Sequence, residues 1–137
     1  MTREWHLDQR LADESHPVAH LGLSELRLQD DANYPWLLLV PRVVGASELI
    51  DLSRIHQTEL LAEIDRISRI MRTLFRPLKL NIAMLGNRVP QLHVHLIARY
   101  RTDPTWPNPV WGVIHALPYA PEPLVERVGR LQRALDG

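Results

Sequence analysis

The chain has 137 residues, enough for a substantial core, and a single domain over residues 1–137 is expected. Its 16 acidic and 16 basic residues cancel, which excludes a broad electrostatic grip on nucleic acid or an anionic membrane but leaves room for a local anion site. Cysteine is absent, so disulfide and thiol chemistry are excluded, and no apolar run has the length of a signal peptide or a bilayer span, so a soluble, cytoplasmic protein is expected.

In chain order, residues 5–15 carry Trp5, Leu7 and Leu11 among charged residues, and predict a short helix ended by Ser15-His16-Pro17. Glu25–Gln29 alternates polar and apolar residues and reads as a half-exposed strand. Asp30-Asp31-Ala32-Asn33-Tyr34-Pro35 is a turn by its chemistry. Trp36–Val40 is a continuous apolar run stopped by Pro41, which predicts a central strand paired antiparallel with the preceding one. Residues 47–52 predict one helical turn. Ser53 is a good N-cap, and Leu60, Ile64, Ile67, Met71 and Leu74 recur at helical spacing, so a long helix is expected over 54–76, stopped by Pro77.

Leu80–Leu85 is a strand candidate, and Gly86-Asn87-Arg88 predicts a tight turn into a second strand over 89–99. Residues 101–123 hold more than half of the chain's eleven prolines, together with Trp106, Trp111 and Tyr119. That composition predicts an ordered loop pinned by aromatic packing. Leu124, Val128, Leu131 and Leu135 predict a C-terminal helix over 123–135. The order suggests an α+β fold: an antiparallel sheet with the long helix packed on one face.

Chemistry concentrates in the 89–99 strand. Strand side chains alternate faces, so Gln91, His93 and His95 share one face while Leu92, Val94 and Leu96 enter a core. Polar side chains on such a strand are costly to bury without partners. Paired histidines can bind a metal, act as acid and base, or supply a nucleophile. Gln91 is a poor metal ligand, and His115, Asp30 or Asp31 would have to complete a metal site from loops. The Gly86-Asn87-Arg88 turn offers N–H groups, an amide and a guanidinium suited to an anion, phosphate first. Trp106 and Trp111 read as packing anchors rather than stacking platforms, and His6, His16, His20 and His56 as surface or capping residues.

The run Gly86-Asn87-Arg88-Val89-Pro90-Gln91-Leu92-His93-Val94-His95-Leu96-Ile97 resembles the signature of the histidine triad (HIT) superfamily of nucleotide hydrolases and transferases: His-φ-His-φ-His-φ-φ, φ being apolar, after a Gly-Gln-Ser/Thr-Val-Pro-like turn. Trp36–Arg42, the acidic turn before it and the 54–76 helix extend the resemblance over roughly residues 20–100. It implies a HIT-like α+β fold and a homodimer that extends the sheet across two subunits. It implies His93 as nucleophile on the α-phosphorus of a nucleotide conjugate, such as a diadenosine polyphosphate or a nucleoside phosphoramidate, through a nucleotidyl-histidine intermediate.

By the same resemblance His95 would hold the phosphate, the Gln91 carbonyl would orient His93, Asp30 or Asp31 would hold the ribose, and Asn81 would border the pocket. Gly86 and Asn87 would contact phosphate oxygens. No cofactor is implied. Three departures stand out: Gln91 for the first histidine, Asn87 for Gln, and Arg88 for a small hydroxyl residue near the leaving group. Gln91 cannot change protonation but can donate and accept hydrogen bonds. The competing readings are a nucleotide-binding protein with little or no turnover and, behind it, a metal-binding module.

Overall fold

The computed structural model describes residues 4–137. Five strands form one antiparallel sheet: β1 (Ser15–His20), β2 (Ser24–Gln29), β3 (Trp36–Pro41), β4 (Lys79–Ala83) and β5 (Val94–Arg99), in the order β1-β2-β3-β5-β4. Three helices accompany them: α1 (Gln9–Glu14), α2 (Arg54–Phe75) and α3 (Pro121–Asp136).

Helix α2 forms where its apolar periodicity predicts. Ser53 caps it, accepting a hydrogen bond from the His56 N–H at 3.1 Å, and Arg76 leaves it in the left-handed conformation just before Pro77. Leu60, Ile67 and Met71 of α2 and Leu131 of α3 pack on Leu26, Leu28, Leu37, Leu39, Val94 and Leu96, the residues of β2, β3 and β5 that face the helices. The predicted turn at 47–52 is a single 3₁₀ turn over Leu49–Asp51.

The opposite face of the sheet is also covered. Trp36, Leu38, Val40 and Ile97 form a second core with Leu11 of α1, Tyr34, Val89 and Val110. The alternation expected along β5 therefore holds, with Val94 and Leu96 on one face and His95 and Ile97 on the other.

The structure corrects four expectations. The first helix is shorter than 5–15: Asp8 caps it, so it begins at Gln9, and Ser15-His16-Pro17, which ends it as expected, enters a strand. This strand, β1, was not expected. Its Pro17 is tolerated because β1 is an edge strand, and its register with β2 shifts between Pro17 and Ala19. Strand β2 is mostly buried rather than half exposed: Arg27, in phase with the second core, donates to the Ser15 hydroxyl at 2.7 Å and the Ser15 carbonyl at 3.0 Å. Lastly, no tight turn joins the last two strands. Residues 84–93 form a long connection and β5 begins only at Val94, because the 84–93 backbone finds partners elsewhere, such as the Leu92 N–H on the Ala46 carbonyl at 3.0 Å.

The proline-rich segment is ordered as expected, and Arg99 organises it. This side chain is 1% exposed and lies in phase with His95 and Ile97. It forks onto Asp103 at 2.9 and 3.1 Å and donates to Asn81 Oδ1 at 2.8 Å, Thr105 Oγ1 at 3.2 Å and the Asn108 carbonyl at 2.8 Å. The rings of Tyr34 and Trp106 face its guanidinium at 5.6 and 5.7 Å. The segment is thereby folded back over the second core.

Candidate active site

The two histidines sit where β5 begins, at the floor of a cleft of about 680 Å³. One wall is the 85–89 stretch, with Gly86 in the left-handed region at φ 73°. A second wall comes from α1, through Leu11, Asp13 and Glu14, and a third from the proline-rich segment, through Val110, Trp111 and Ile114. A smaller cavity of about 140 Å³, lined by Ser47, Glu48, Gln91 and His93 among others, lies beside it.

Hydrogen bonds decide the tautomer of each imidazole. His93 Nδ1 lies 2.7 Å from the Gln91 carbonyl, which only accepts. Nδ1 therefore carries the proton, and Nε2 of the neutral ring keeps a free lone pair. His95 is reversed. The Trp36 indole N–H, a donor only, points to His95 Nδ1 at 3.0 Å, so in the neutral ring the proton sits on Nε2. Adjacent rings thus present a bare nitrogen and an N–H. They pack edge to face with centroids 4.9 Å apart, and Trp111 closes on His95 at 5.1 Å.

Burial disfavours charge on His95, and the neighbouring His93 adds repulsion; together they bring its pKa down to about 3. His95 therefore stays a neutral N–H donor across the physiological range. Between pH 6.5 and about 3 the unfolded chain binds a proton that folded His95 refuses, so His95 makes stability fall as pH falls through that window. An NMR titration of the His95 ring protons is expected to show no midpoint above pH 5.

The other expected site residues divide. Asp30, Asp31, Gly86, Asn87 and Arg88 all line the cleft with His93 and His95. Burial alone would raise the Asp30 carboxyl, but the Tyr119 N–H at 2.9 Å and His16 at 3.0 Å outweigh it and hold the group below the usual carboxylate range. Asp31 Oδ1 accepts from Asn33, through its backbone and side-chain N–H, and from the Leu117 N–H. Both aspartates thus tie the proline-rich segment to the turn after β2. Arg88 is 83% exposed at the cleft rim, 3.6 Å from Glu14.

Asn81 is not brought to the cleft. It pairs with Ile97, two residues beyond His95, and its Oδ1 is taken by Arg99. The Gln91 side chain is also outside the main cleft, bonded to residues 6 and 8.

Trp36, Trp111 and α1 are site elements that sequence reasoning missed. Trp36 was legible in part: it lies in phase with Leu38 and Val40, on the face that carries His95. Trp106 packs on Arg99 as an anchor, whereas Trp111 lines the cleft. Among the described residues, no group of three or more His, Asp or Glu side chains converges as a metal site would. Among the same residues, no helix is long and apolar enough to cross a membrane.

A five-stranded antiparallel sheet backed by a long helix, with paired histidines over a cleft, defines an α+β protein of the histidine triad fold class. The HIT domain family model matches residues 10–102, and the chain belongs to that family. Three solved histidine triad proteins are similar over nearly their whole lengths. That from Bradyrhizobium japonicum is 45% identical, with 96% of this chain and 98% of that one covered at a TM-score of 0.94. That from Marinobacter aquaeolei VT8 is 41% identical, with 98% of each chain covered at a TM-score of 0.95. That from Sinorhizobium meliloti 1021 is 38% identical, with 95% and 96% covered at a TM-score of 0.92. The Plasmodium falciparum diadenosine triphosphate hydrolase shares the fold at 18% identity and a TM-score of 0.62, with 99% of this chain and 86% of that one covered. No curated protein matched the sequence.

Proposed function

We propose that this chain is a nucleotidyl hydrolase or transferase whose nucleophile is His93 Nε2. One observation carries the reading: the Gln91 carbonyl holds the proton on Nδ1, so a lone pair is available on Nε2 of a ring that lines the cleft. In the first step that lone pair attacks the α-phosphorus of a nucleotide conjugate. A P–N bond forms as the P–O or P–N bond to the leaving group breaks, and the leaving group departs with the bonding electron pair, an amine leaving group taking a proton from solvent. The positive charge gained by the ring is shared through Nδ1–H with the Gln91 carbonyl. Water or an acceptor then attacks phosphorus and loses its proton to solvent, the P–N bonding pair returns to His93 Nε2, and a nucleoside monophosphate or its ester is released.

His95 Nε2–H donates to a phosphate oxygen, helped by the 86–88 stretch. Asp30 and Asp31 border the position for the ribose, and Arg88 at the rim suits an anionic leaving group such as the rest of a polyphosphate. The exposed Ile82, Met84 and Leu85, in and just after edge strand β4, suit a second copy of the chain, extending the sheet across a homodimer.

The testing experiment is an alkaline quench during turnover of diadenosine polyphosphates and adenosine phosphoramidates labelled at the α-phosphorus. Label is expected on the denatured protein, and it should map to His93. AMP release with no protein-bound label at any time would reject the covalent step. Binding of AMP without release from any of these compounds would favour the non-catalytic binder.

A further inference from the structure

Both polar ends of the Gln91 side chain are committed to the N-terminal segment. Its Oε1 accepts from the Asp8 N–H at 2.8 Å and its Nε2 donates to the His6 carbonyl at 2.8 Å. The amide thus bridges the carbonyl of one residue and the N–H two residues later, as the N–H and C=O of a single residue in a neighbouring parallel strand do. An imidazole cannot copy this. Its two nitrogens point apart, so at this spacing a histidine reaches one partner and leaves the other unpaired. A second fastening lies alongside, the Arg10 guanidinium on the Arg88 carbonyl at 2.8 Å.

What is fastened matters to the site. Asp8 caps α1, accepting from the Arg10 N–H at 2.9 Å, and α1 supplies the cleft wall that carries Leu11, Asp13 and Glu14. Leu7 packs into the second core beneath. One residue therefore acts twice: its carbonyl orients His93 and its side chain holds the segment that leads into a wall of the cleft.

We propose that Gln91 is a positioning residue whose side chain tethers residues 6–8, and thereby the α1 wall, to the stretch bearing His93, and that this side chain moves no proton. The catalytic part of the proposal rests on the function proposed above; the tether does not.

The test uses the full-length chain with Gln91→Ala, the near-isosteric Gln91→Glu, which lacks the donor, and Gln91→His. Amide exchange at Asp8 is read first. Gln91→Ala, which removes the acceptor of the Asp8 N–H, is expected to speed it about tenfold or more, the effect of losing one or two net hydrogen bonds, whereas Gln91→Glu keeps that acceptor and loses only the donor to the His6 carbonyl. Kinetics are read second: KM is expected to rise about tenfold with kcat within about threefold, the pattern of a lost binding wall. Unchanged exchange at Asp8 in Gln91→Ala overturns the tether. A pH-dependent limb of kcat present in wild type and lost in Gln91→Ala overturns the statement about the proton. Should His93→Ala leave turnover untouched, the nucleophile assignment fails, while exchange at Asp8 and the affinity for AMP still decide the tether.

Discussion

Replacing His93 by Ala is expected to lower turnover of the best nucleotide conjugate by roughly 10,000-fold or more, the scale seen when a nucleophile is removed from a covalent mechanism. No neighbour can substitute. His95 is the nearest imidazole, but Trp36 holds its Nδ1 and its Nε2 carries the proton, so it has no lone pair to offer the cleft. With its pKa down at about 3, that state persists wherever the protein is folded and active. Binding is expected to survive, because the His95 N–H and the 86–88 stretch are untouched by the substitution. Single-turnover AMP release beside AMP affinity separates the two effects. A His93→Gly variant restored by added imidazole would show that the missing group is the ring itself. Equal turnover in wild type and His93→Ala would reject the nucleophile outright.

Arg99→Met is expected to destabilise the fold by about 3–5 kcal/mol, the cost of leaving a buried partner charge unpaired. The abandoned partner is Asp103, whose side chain is 3% exposed. Burial raises the Asp103 carboxyl, but Arg99 and the N–H groups of Tyr100 and Thr105 outweigh it and keep the group below the usual carboxylate range. Its stabilising contribution is therefore complete above the unfolded carboxyl pKa and is lost as pH falls through the lower folded value. Thermal denaturation at neutral pH is expected to show a melting temperature lower by about 10 °C or more. The site should suffer as well, since the segment Arg99 pins carries Trp111 against His95. Below the melting transition AMP affinity should fall in the folded variant. Arg99→Lys should not restore it, because an ammonium cannot reproduce the fork onto Asp103. A melting temperature within 2–3 °C of wild type, roughly the shift from a minor surface change, would show that the segment is held by its own packing.

Local signals were sufficient for much of the architecture. Helix α2 and its Ser53 cap, strand β3, the helix-facing pattern of Val94 and Leu96, and the two cleft histidines all follow from periodicity and residue type within one element. The histidine signature pointed to the family because it is contiguous. Strand β1 was illegible because its only ladder partner is β2 and its proline and histidines carry no strand signal of their own. Asn81 was misplaced because a strand position says which face a residue takes but not which neighbour claims it; Arg99 claims it. One signal went unused: Arg99 follows His95 and Ile97 in phase, and a charge in register with buried residues marks an ion pair to be found elsewhere in the chain.

The sequence by itself determined the family, the α+β class and the two histidines at the start of β5. Only the tertiary structure decided what each polar atom does. It put the proton on opposite nitrogens of His93 and His95, turned the Gln91 amide away from the main cleft onto residues 6 and 8, and folded the proline-rich segment into a wall. The physical reason is that a buried polar group takes its role from its hydrogen-bond partner. Here most of the deciding partners, Trp36 for His95, His6 and Asp8 for Gln91, and Asn81 for Arg99, stand 18 to 85 residues away in the chain.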